Sequence, residues 1–476
     1  MSDRHTQLLI IGAGPGGYTA AFLAADQGRE VTLVDMKKDL GGVCLSRGCI
    51  PSKTLLNVAK IISQSQEAKG LGIEFARPQI DLEKIRQRKN AVIHKLSAGL
   101  ALLCKQRQIS FIQGKASFQD SRTVSVQGQD GQQCLSFDNC VLATGSYPLA
   151  FPQAPNSSCI MNSTSALEIE NVPPRLLVIG GGYIGLELGT VYCEFGSKVN
   201  VAEIAPRLLY GCDQDLVAIL EKRLRKRFES IRLEIEITQI KKSEKNILVT
   251  FKEKNGKTLT EEFDKILVTV GRAPKAQDLG LEKTQVELNE RGFVKVNEIQ
   301  QTTDPNIYAV GDVAGGPLLA HKASLEGRIV AECLRGQKTR LKTKVIPAVI
   351  YTNPEIAWCG LTEEQAAKEN RKVQVSQFSW TASGRAMTLN RTDGLTKLIL
   401  DPETKRVLGA GIVGVEAGEL ISECVLAIEK GATAADIKSC SHPHPTLSET
   451  IKEAAEASLG DSPHVLRPGK NKPLAT

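Results

Sequence analysis

Leu8-Leu9-Ile10-Ile11-Gly12-Ala13-Gly14-Pro15-Gly16-Gly17, followed by an alanine-rich run from Tyr18 to Gln27 and then Val31-Thr32-Leu33-Val34-Asp35, decides the architecture of this chain. The first four residues are wholly apolar, as a central parallel strand covered on both faces must be. A tight glycine turn, a helix, a second apolar strand and an acid follow in that order. Gly12 permits the turn, Gly14 lets backbone N–H groups approach a pyrophosphate, and Gly17 admits close helix packing. Asp35 stands 21 residues beyond Gly14, where a carboxylate accepts from a ribose 2′-hydroxyl. A bare G-x-G-x-x-G is a weak signal. With its strands and acid it reads as a dinucleotide-binding unit.

The device recurs. Leu176-Leu177-Val178-Ile179 leads into Gly180-Gly181-Gly182-Tyr183-Ile184-Gly185, a helix to about Phe195, and a strand ending in Glu203, again 21 residues beyond its central glycine Gly182. Two fingerprints mean two dinucleotides, or a duplicated fold with one silent copy; the intact acid makes the silent copy the poorer reading. Glu203 accepts from a free 2′-hydroxyl and repels a 2′-phosphate. Glu187, inside an otherwise apolar helix start, is either functional or a carboxylate stabilised by the helix dipole.

Between the fingerprints lies Gly41-Gly42-Val43-Cys44-Leu45-Ser46-Arg47-Gly48-Cys49-Ile50-Pro51-Ser52-Lys53. Its cysteine spacing is not that of a thioredoxin-like pair. Residues so spaced fall about one helical turn apart and can meet at a helix start. If they pair, the object is a small reversible disulfide. Arg47 between them either biases a thiol toward thiolate or points to solvent. Helices are expected over Thr54 to Gly70 and Ile80 to Lys105, an antiparallel excursion over Ser110 to Phe137, and a linker at Pro148, Pro152 and Pro155.

The chain has 476 residues, 41% of them hydrophobic, which is enough for about three domains with cores of their own. Its net charge of +7 is mild. The basic run Lys222, Arg223, Arg225, Lys226 and Arg227 falls on a helix whose apolar face includes Leu216, Leu220 and Leu224. It reads as a solvated face rather than a nucleic-acid patch. Twelve cysteines form no disulfide scaffold; Cys104, Cys140, Cys159 and Cys193 sit among apolar residues as buried thiols, which fits a reducing compartment. The first apolar run leads straight into a glycine turn and so reads as a strand, not a signal peptide. No apolar stretch reaches the roughly 18 residues of a membrane span.

Past residue 345 the texture changes to short strands with interspersed helices, an α+β region unlike the two glycine-turn units. It holds Ser441-His442-Pro443-His444-Pro445-Thr446-Leu447-Ser448-Glu449. An imidazole on a rigid turn, with a carboxylate able to hold its other nitrogen, suits acid–base work. A metal site there lacks a third ligand at suitable spacing.

The cysteine block, both fingerprints, Gly311-Asp312 and the His442-to-Glu449 segment stand in one order from Leu8 to about Leu459. In this the chain resembles the flavoprotein disulfide reductases, the class I pyridine nucleotide-disulfide oxidoreductases, and within them the branch that oxidises dihydrolipoamide. The resemblance implies an α/β fold: two Rossmann-like dinucleotide-binding domains, for FAD and NAD, plus a C-terminal α+β dimerisation domain. Residues 1–148 and 277–345 would form the FAD-binding part, 149–276 the NAD-binding domain, 346–460 the dimerisation domain and 461–476 a flexible tail. Gly12, Gly14, Gly17, Asp35, Lys53, Gly114, Thr144, Gly145, Ser146, Asp312 and Ala320 fall on family flavin-contact positions. Gly180, Gly182, Gly185, Glu203 and Gly271 fall on NAD-contact positions. Cys44 and Cys49 would form the redox disulfide, Lys53 and Glu187 a pair beside the isoalloxazine. His444, oriented by Glu449, would be the acid–base residue, contributed across a homodimer to the partner's active site.

The implied partners are the dihydrolipoyl acyltransferase (E2) core of the pyruvate or 2-oxoglutarate dehydrogenase complexes, or the lipoyl protein of glycine cleavage, in a bacterial cytoplasm. No nucleic acid, metal or membrane span is implied. Lys275 departs from the asparagine many members carry. The absence of an added N-terminal module or C-terminal cysteine pair speaks against mercuric and extended thioredoxin reductases. Glu203 speaks against an NADPH-preferring reductase of glutathione disulfide. A reductase for another small disulfide remains the alternative.

Overall fold

The computed structural model describes residues 4–129, 131–243, 246–337, 339 and 345–465. The first of three large sheets runs in the order Ser110–Gln113, Val31–Asp35, Arg4–Ile11, Gly131–Leu142, with Ile307–Ala309 also on the last of these, all parallel. Leu8, Leu9 and Ile10 are fully buried in it, which is why that run carries no polar alternation. The early part of Gly131–Leu142 pairs instead with Thr123–Gly128, and that strand with Lys115–Asp120, both antiparallel. The antiparallel excursion thus starts at Lys115, because Ser110–Gln113 finds Val31–Asp35 as a parallel neighbour and closes the sheet edge.

The second sheet, in the order Ser230–Arg232, Lys198–Ala202, Arg175–Ile179, Lys265–Val268 and Ile160–Asn162, is wholly parallel. An antiparallel clasp of Ser146–Pro148 on Arg272–Pro274 ties the chain leaving the first sheet to its return. The third sheet, in the order Ala348–Ile350, Glu355–Gly360, Val407–Gly414, Leu395–Leu400 and Gln374–Ser379, is antiparallel throughout. The helices Ala417–Lys430 and Glu449–Leu459 pack on it.

Several local readings differ from the sequence expectation. The helix expected to continue over Thr54 to Gly70 starts at Cys49 and ends at Glu67, preceded by a short helix Gly42–Arg47. Gly48 separates the two: a Cβ there would lie 3.0 Å from the Val43 carbonyl oxygen. The basic face of the helix Gln214–Arg227 is not merely solvated. Arg223 pairs with Glu67 and Asp393, Arg225 with Glu221 at 2.6 Å, and Arg227 with Glu194 at 2.5 Å. Cys159 and Cys193 are half-buried, while Cys104 and Cys140 are buried. Of the stretch expected as a loose tail, residues 466–476 lie outside the described residues; nearer the fold, Asp461 pairs with Lys438 at 2.6 Å and His464 with Glu453 at 2.7 Å.

Lys397, on the strand Leu395–Leu400, is fully buried with its ammonium 2.7 Å from each of Asp213, Asp215 and Glu363. Those carboxylates have the mutual spacing of a metal site, but the ammonium already fills it. The cluster fastens the third sheet to the start of the helix Gln214–Arg227, where burying one charge demands several compensating ones. No helix among the described residues is long and apolar enough to cross a membrane.

Candidate active site

Gly12 adopts φ +110°, and a Cβ there would stand 2.2 Å from the Ala143 carbonyl oxygen, so the first turn admits no side chain. The pair Gly41-Gly42 presses the cysteine segment onto that turn. Gly41 N–H donates to Ala13 O at 2.9 Å, and a Gly42 Cβ would lie 2.6 Å from Gly14 Cα. A cavity of about 410 Å³ opens beside this contact. Gly12, Gly14, Asp35, Lys53, Thr144, Gly145, Ser146, Asp312 and Ala320 line it together with Cys44, Cys49 and Glu187. Gly17 and Gly114 do not. Gly17 packs behind the turn, where a Cβ would fall 1.9 Å from Gly12 O, and Gly114 faces an adjoining hollow of about 270 Å³ shared with Gly12, Asp35 and Thr144.

The donor set fits a flavin dinucleotide. Asp35 accepts from Ala13 N–H and Lys37 N–H at 2.8 Å each, which uses two of the roughly four acceptor positions of a carboxylate and leaves the rest for ribose hydroxyls. At Gly14 a Cβ would meet nothing nearer than 4.0 Å, so the backbone faces open space where a pyrophosphate needs room. Asp312 accepts from Ser146 Oγ at 2.5 Å, and Ser146 Oγ in turn accepts from Arg272 Nε at 2.7 Å. This chain of polar groups forms part of the wall of the same cavity.

Cys44 lies in the short helix and Cys49 opens the long one. The Cys44 thiol donates to the Cys49 sulfur, which raises Cys44 well beyond an ordinary thiol and lowers Cys49 to about 7; burial works against the lowering and Lys53 works with it. A shared proton between close sulfurs divides them into a donor and a thiolate. The cation that acts on Cys49 is therefore Lys53. Arg47 stands in the cavity wall, with Nε 3.4 Å from Ser46 Oγ. Lys53 Nζ lies 2.8 Å from Glu187 Oε2. Glu187 is 3% exposed, so its place in an apolar helix is explained by an ion pair 134 residues distant in sequence.

A second cavity, of about 770 Å³, is lined by Gly180, Gly182, Glu203 and Gly271. At Gly182 a Cβ would meet nothing within 4 Å, whereas at Gly185 it would fall 2.5 Å from Gly180 O, so Gly185 serves packing. Glu203 accepts from Gly181 N–H at 2.5 Å and Ala205 N–H at 2.8 Å, the counterpart of Asp35, and the set fits a second dinucleotide. Tyr183 and Arg272 line both cavities. Surrounding protein, more than the Glu187 carboxylate, pushes the Tyr183 phenol up to about 12, so this ring stays neutral. Sequence reading passed over both residues, although Tyr183 sits inside the second fingerprint and Arg272 directly follows Gly271.

His444 Nδ1 lies 2.9 Å from Glu449 Oε1, and Thr446 N–H donates to Glu449 Oε2 at 2.7 Å. Partial burial pushes Glu449 up, yet the Thr446 N–H and His444 outweigh it and hold the carboxyl below its usual range. Glu449 is also the first residue of its helix, where the dipole favours an anion. The His444 side chain is 80% exposed, with Nε2 free of the dyad. His442 is the buried one, its Nε2 2.9 Å from Glu423. Among the described residues none beyond Ala323 lines the cysteine cavity, so His444 is no part of the wall that holds Cys44 in the same chain.

A family model described as "Pyridine nucleotide-disulphide oxidoreductase" matches residues 6–327, and one described as its dimerisation domain matches 346–455. The chain is 43% identical over 455 residues to a dihydrolipoyl dehydrogenase of Vibrio cholerae, covering 95% of this chain and 96% of the relative. It is 42% identical over 462 residues to one of Geobacillus stearothermophilus, covering 97% and 98%. Among solved structures it is similar to LpdA from Mycobacterium tuberculosis, with TM-score 0.88, 26% identity and coverage of 95% and 99%. It is likewise similar to the HOCl-induced flavoprotein disulfide reductase RclA from Escherichia coli, with TM-score 0.84, 29% identity and coverage of 94% and 99%.

Proposed function

The chain belongs to the pyridine nucleotide-disulphide oxidoreductases, and from that premise we propose that it is an NAD-dependent dihydrolipoyl dehydrogenase. It oxidises a protein-bound dihydrolipoyl group to the cyclic disulfide and forms NADH. The observation that carries this reading is the Cys44–Cys49 pair in the wall of one dinucleotide cavity that shares Tyr183 with a second. FAD would occupy the first, where Gly12, Gly14, Asp35, Asp312, Lys53 and Glu187 would hold it. NAD occupies the second, held by Gly180, Gly182, Glu203 and Gly271. When bound, FAD supplies the two-electron relay that accepts electrons at the thiol side and releases hydride to NAD+.

The chain's own residues handle sulfur and protons. In the oxidised form Cys44 and Cys49 are bonded. His444 Nε2 of the partner subunit takes the proton of one substrate thiol, and the thiolate attacks the Cys44 sulfur. The Cys44–Cys49 bond breaks, and Cys49 leaves as thiolate, as its low pKa favours. The second substrate thiol then closes on the first, the mixed disulfide breaks, and Cys44 departs. Its high proton affinity lets it take the proton of that second thiol, while the first proton stays on the imidazolium. Glu449 fixes the His444 tautomer and steadies the cationic form, as an orienting carboxylate does in other dyads. Two thiols become one disulfide, and the electron pair resides on the Cys44 and Cys49 sulfurs.

The protein works as a homodimer with 2-oxoacid dehydrogenase assemblies in a bacterial cytoplasm, docking on the dihydrolipoyl acyltransferase (E2) core. The lipoyl protein of glycine cleavage is a second client. The test is an assay of NAD+ reduction by dihydrolipoamide, with glutathione disulfide plus NADH or NADPH run beside it. Fast NAD+ reduction supports the reading. A flavin-loaded protein inert to dihydrolipoamide but active on glutathione disulfide overturns the substrate while keeping the dithiol chemistry.

A further inference from the structure

Tyr351 follows the edge strand Ala348–Ile350 of the third sheet, a strand paired among the described residues only with Glu355–Gly360. Two contacts carry it into the thiol site. Its backbone N–H donates to Glu187 Oε1 at 2.9 Å, and its ring centroid lies 4.5 Å from Lys53 Nζ. Glu187 thus has one oxygen on Lys53 at 2.8 Å and the other on the Tyr351 backbone. The Lys53 ammonium is bounded on one side by that carboxylate and on another by the aromatic face. Three separate segments each contribute one member of the trio: Lys53 from the helix Cys49–Glu67, Glu187 from the helix Tyr183–Phe195, and Tyr351 from just past the edge strand.

We propose that Tyr351 is a positioning residue for the redox thiols, fixing the Lys53 ammonium against Glu187 and so coupling the dimer-forming lobe to the flavin-side sulfur. A cation over an aromatic face is attracted by the ring quadrupole, most strongly where water is scarce. Lys53 opens to the cysteine cavity on one side and, on the other, to a hollow of about 210 Å³ that Tyr351 also lines. Without the ring its flexible stem has room to swing away. The other titratable groups bearing on the ring are Glu355, Glu187, Glu419 and Cys49; burial first, then these anions, hold the phenol above its usual value, so the ring stays neutral. Lys53 lowers Cys49 and Glu187 raises it. An ammonium that drifts away therefore leaves Cys49 a weaker acid.

The proposal rests on the reading of Cys49 as the thiol facing the flavin, and the experiment separates the two. In two-electron-reduced holoenzyme the thiolate–flavin charge-transfer absorbance is followed against pH. Tyr351→Phe keeps both the ring face and the N–H and holds the wild-type midpoint. Tyr351→Leu keeps only the N–H and raises the midpoint by roughly half a pH unit. Tyr351→Met serves if the leucine variant does not fold. Lys53→Met raises the midpoint by itself, and adding Tyr351→Leu to it changes nothing further, as a shared pathway requires. A Tyr351→Leu midpoint equal to wild type while Lys53→Met moves, or an undiminished leucine shift in the Lys53→Met background, overturns the role of Tyr351 alone. A midpoint indifferent to Lys53→Met overturns the thiol assignment and the proposal with it.

Discussion

Replacing Cys44 with alanine removes the largest influence that lowers Cys49 from an ordinary thiol near 9 to about 7. What remains is chiefly burial, which raises it, then Lys53, which lowers it with less weight, and Glu187, which raises it. Cys49 in Cys44→Ala should therefore titrate at or above the ordinary thiol value, roughly two units higher. At pH 6 the thiolate fraction would fall from about a tenth to about a thousandth, a roughly hundredfold change. The sign follows from the direction of the shift: a lowered pKa means thiolate above about pH 7, lost as pH falls through that value. Cys44→Ser retains an O–H donor at the same place and should stay close to the low value. The assay is the pH titration of charge-transfer absorbance in reduced holoenzyme of both variants. Coincident curves near pH 7 would refute the reasoning and assign the acidity of Cys49 to its other surroundings.

His444 lies in no wall of its own chain's cysteine cavity, so mixed dimers of Cys44→Ala and His444→Gln subunits should recover about half the dithiol oxidation of wild type, whereas each parent loses at least ~10²-fold. Hybrids as inactive as the parents would place the histidine in its own subunit's site. Glu203→Ala should raise the KM for NAD+ more than that for NADP+, because the acid accepts from a free 2′-hydroxyl and repels a phosphate; an unchanged KM ratio would count against it. Lys397→Met leaves three carboxylates around an empty centre and should destabilise by about 3 kcal/mol, the lower end for a broken buried pair because Glu363 and Asp215 are partly exposed. Urea unfolding read by tryptophan fluorescence reports this directly, since Trp358 and Trp380 belong to the third-sheet region. Adding Asp213→Asn should return part of the loss, and a Lys397→Met variant as stable as wild type would refute the account.

The two dinucleotide units were legible because each is written in a short stretch. An apolar run, a turn that sterically requires glycine and an acid 21 residues on are local consequences of backbone geometry. Gly12, Asp35, Gly180 and Glu203 needed no knowledge of distant neighbours. The cysteine block and the His444–Glu449 pair were readable for the same reason, and their roles followed from resemblance to a family. The third glycine of each fingerprint, Gly17 and Gly185, serves packing, as the motif gives for Gly17.

Other features depend on how three sheets stack, and no spacing in the chain encodes them. Glu187 read from its own segment could be a helix-start carboxylate; the family resemblance alone paired it with Lys53, and the fold brings the two together. The basic helix looked solvated until Glu67, Glu194 and Asp393 met its arginines. Tyr351 carried no signal at all, because a tyrosine after a short strand is ordinary until its neighbours are an ammonium and a buried carboxylate. Backbone sterics act over a few residues and leave a pattern in sequence. Desolvated charges instead find their partners through space, from segments as far apart as residues 53, 187 and 351, and only the folded chain decides which of them meet.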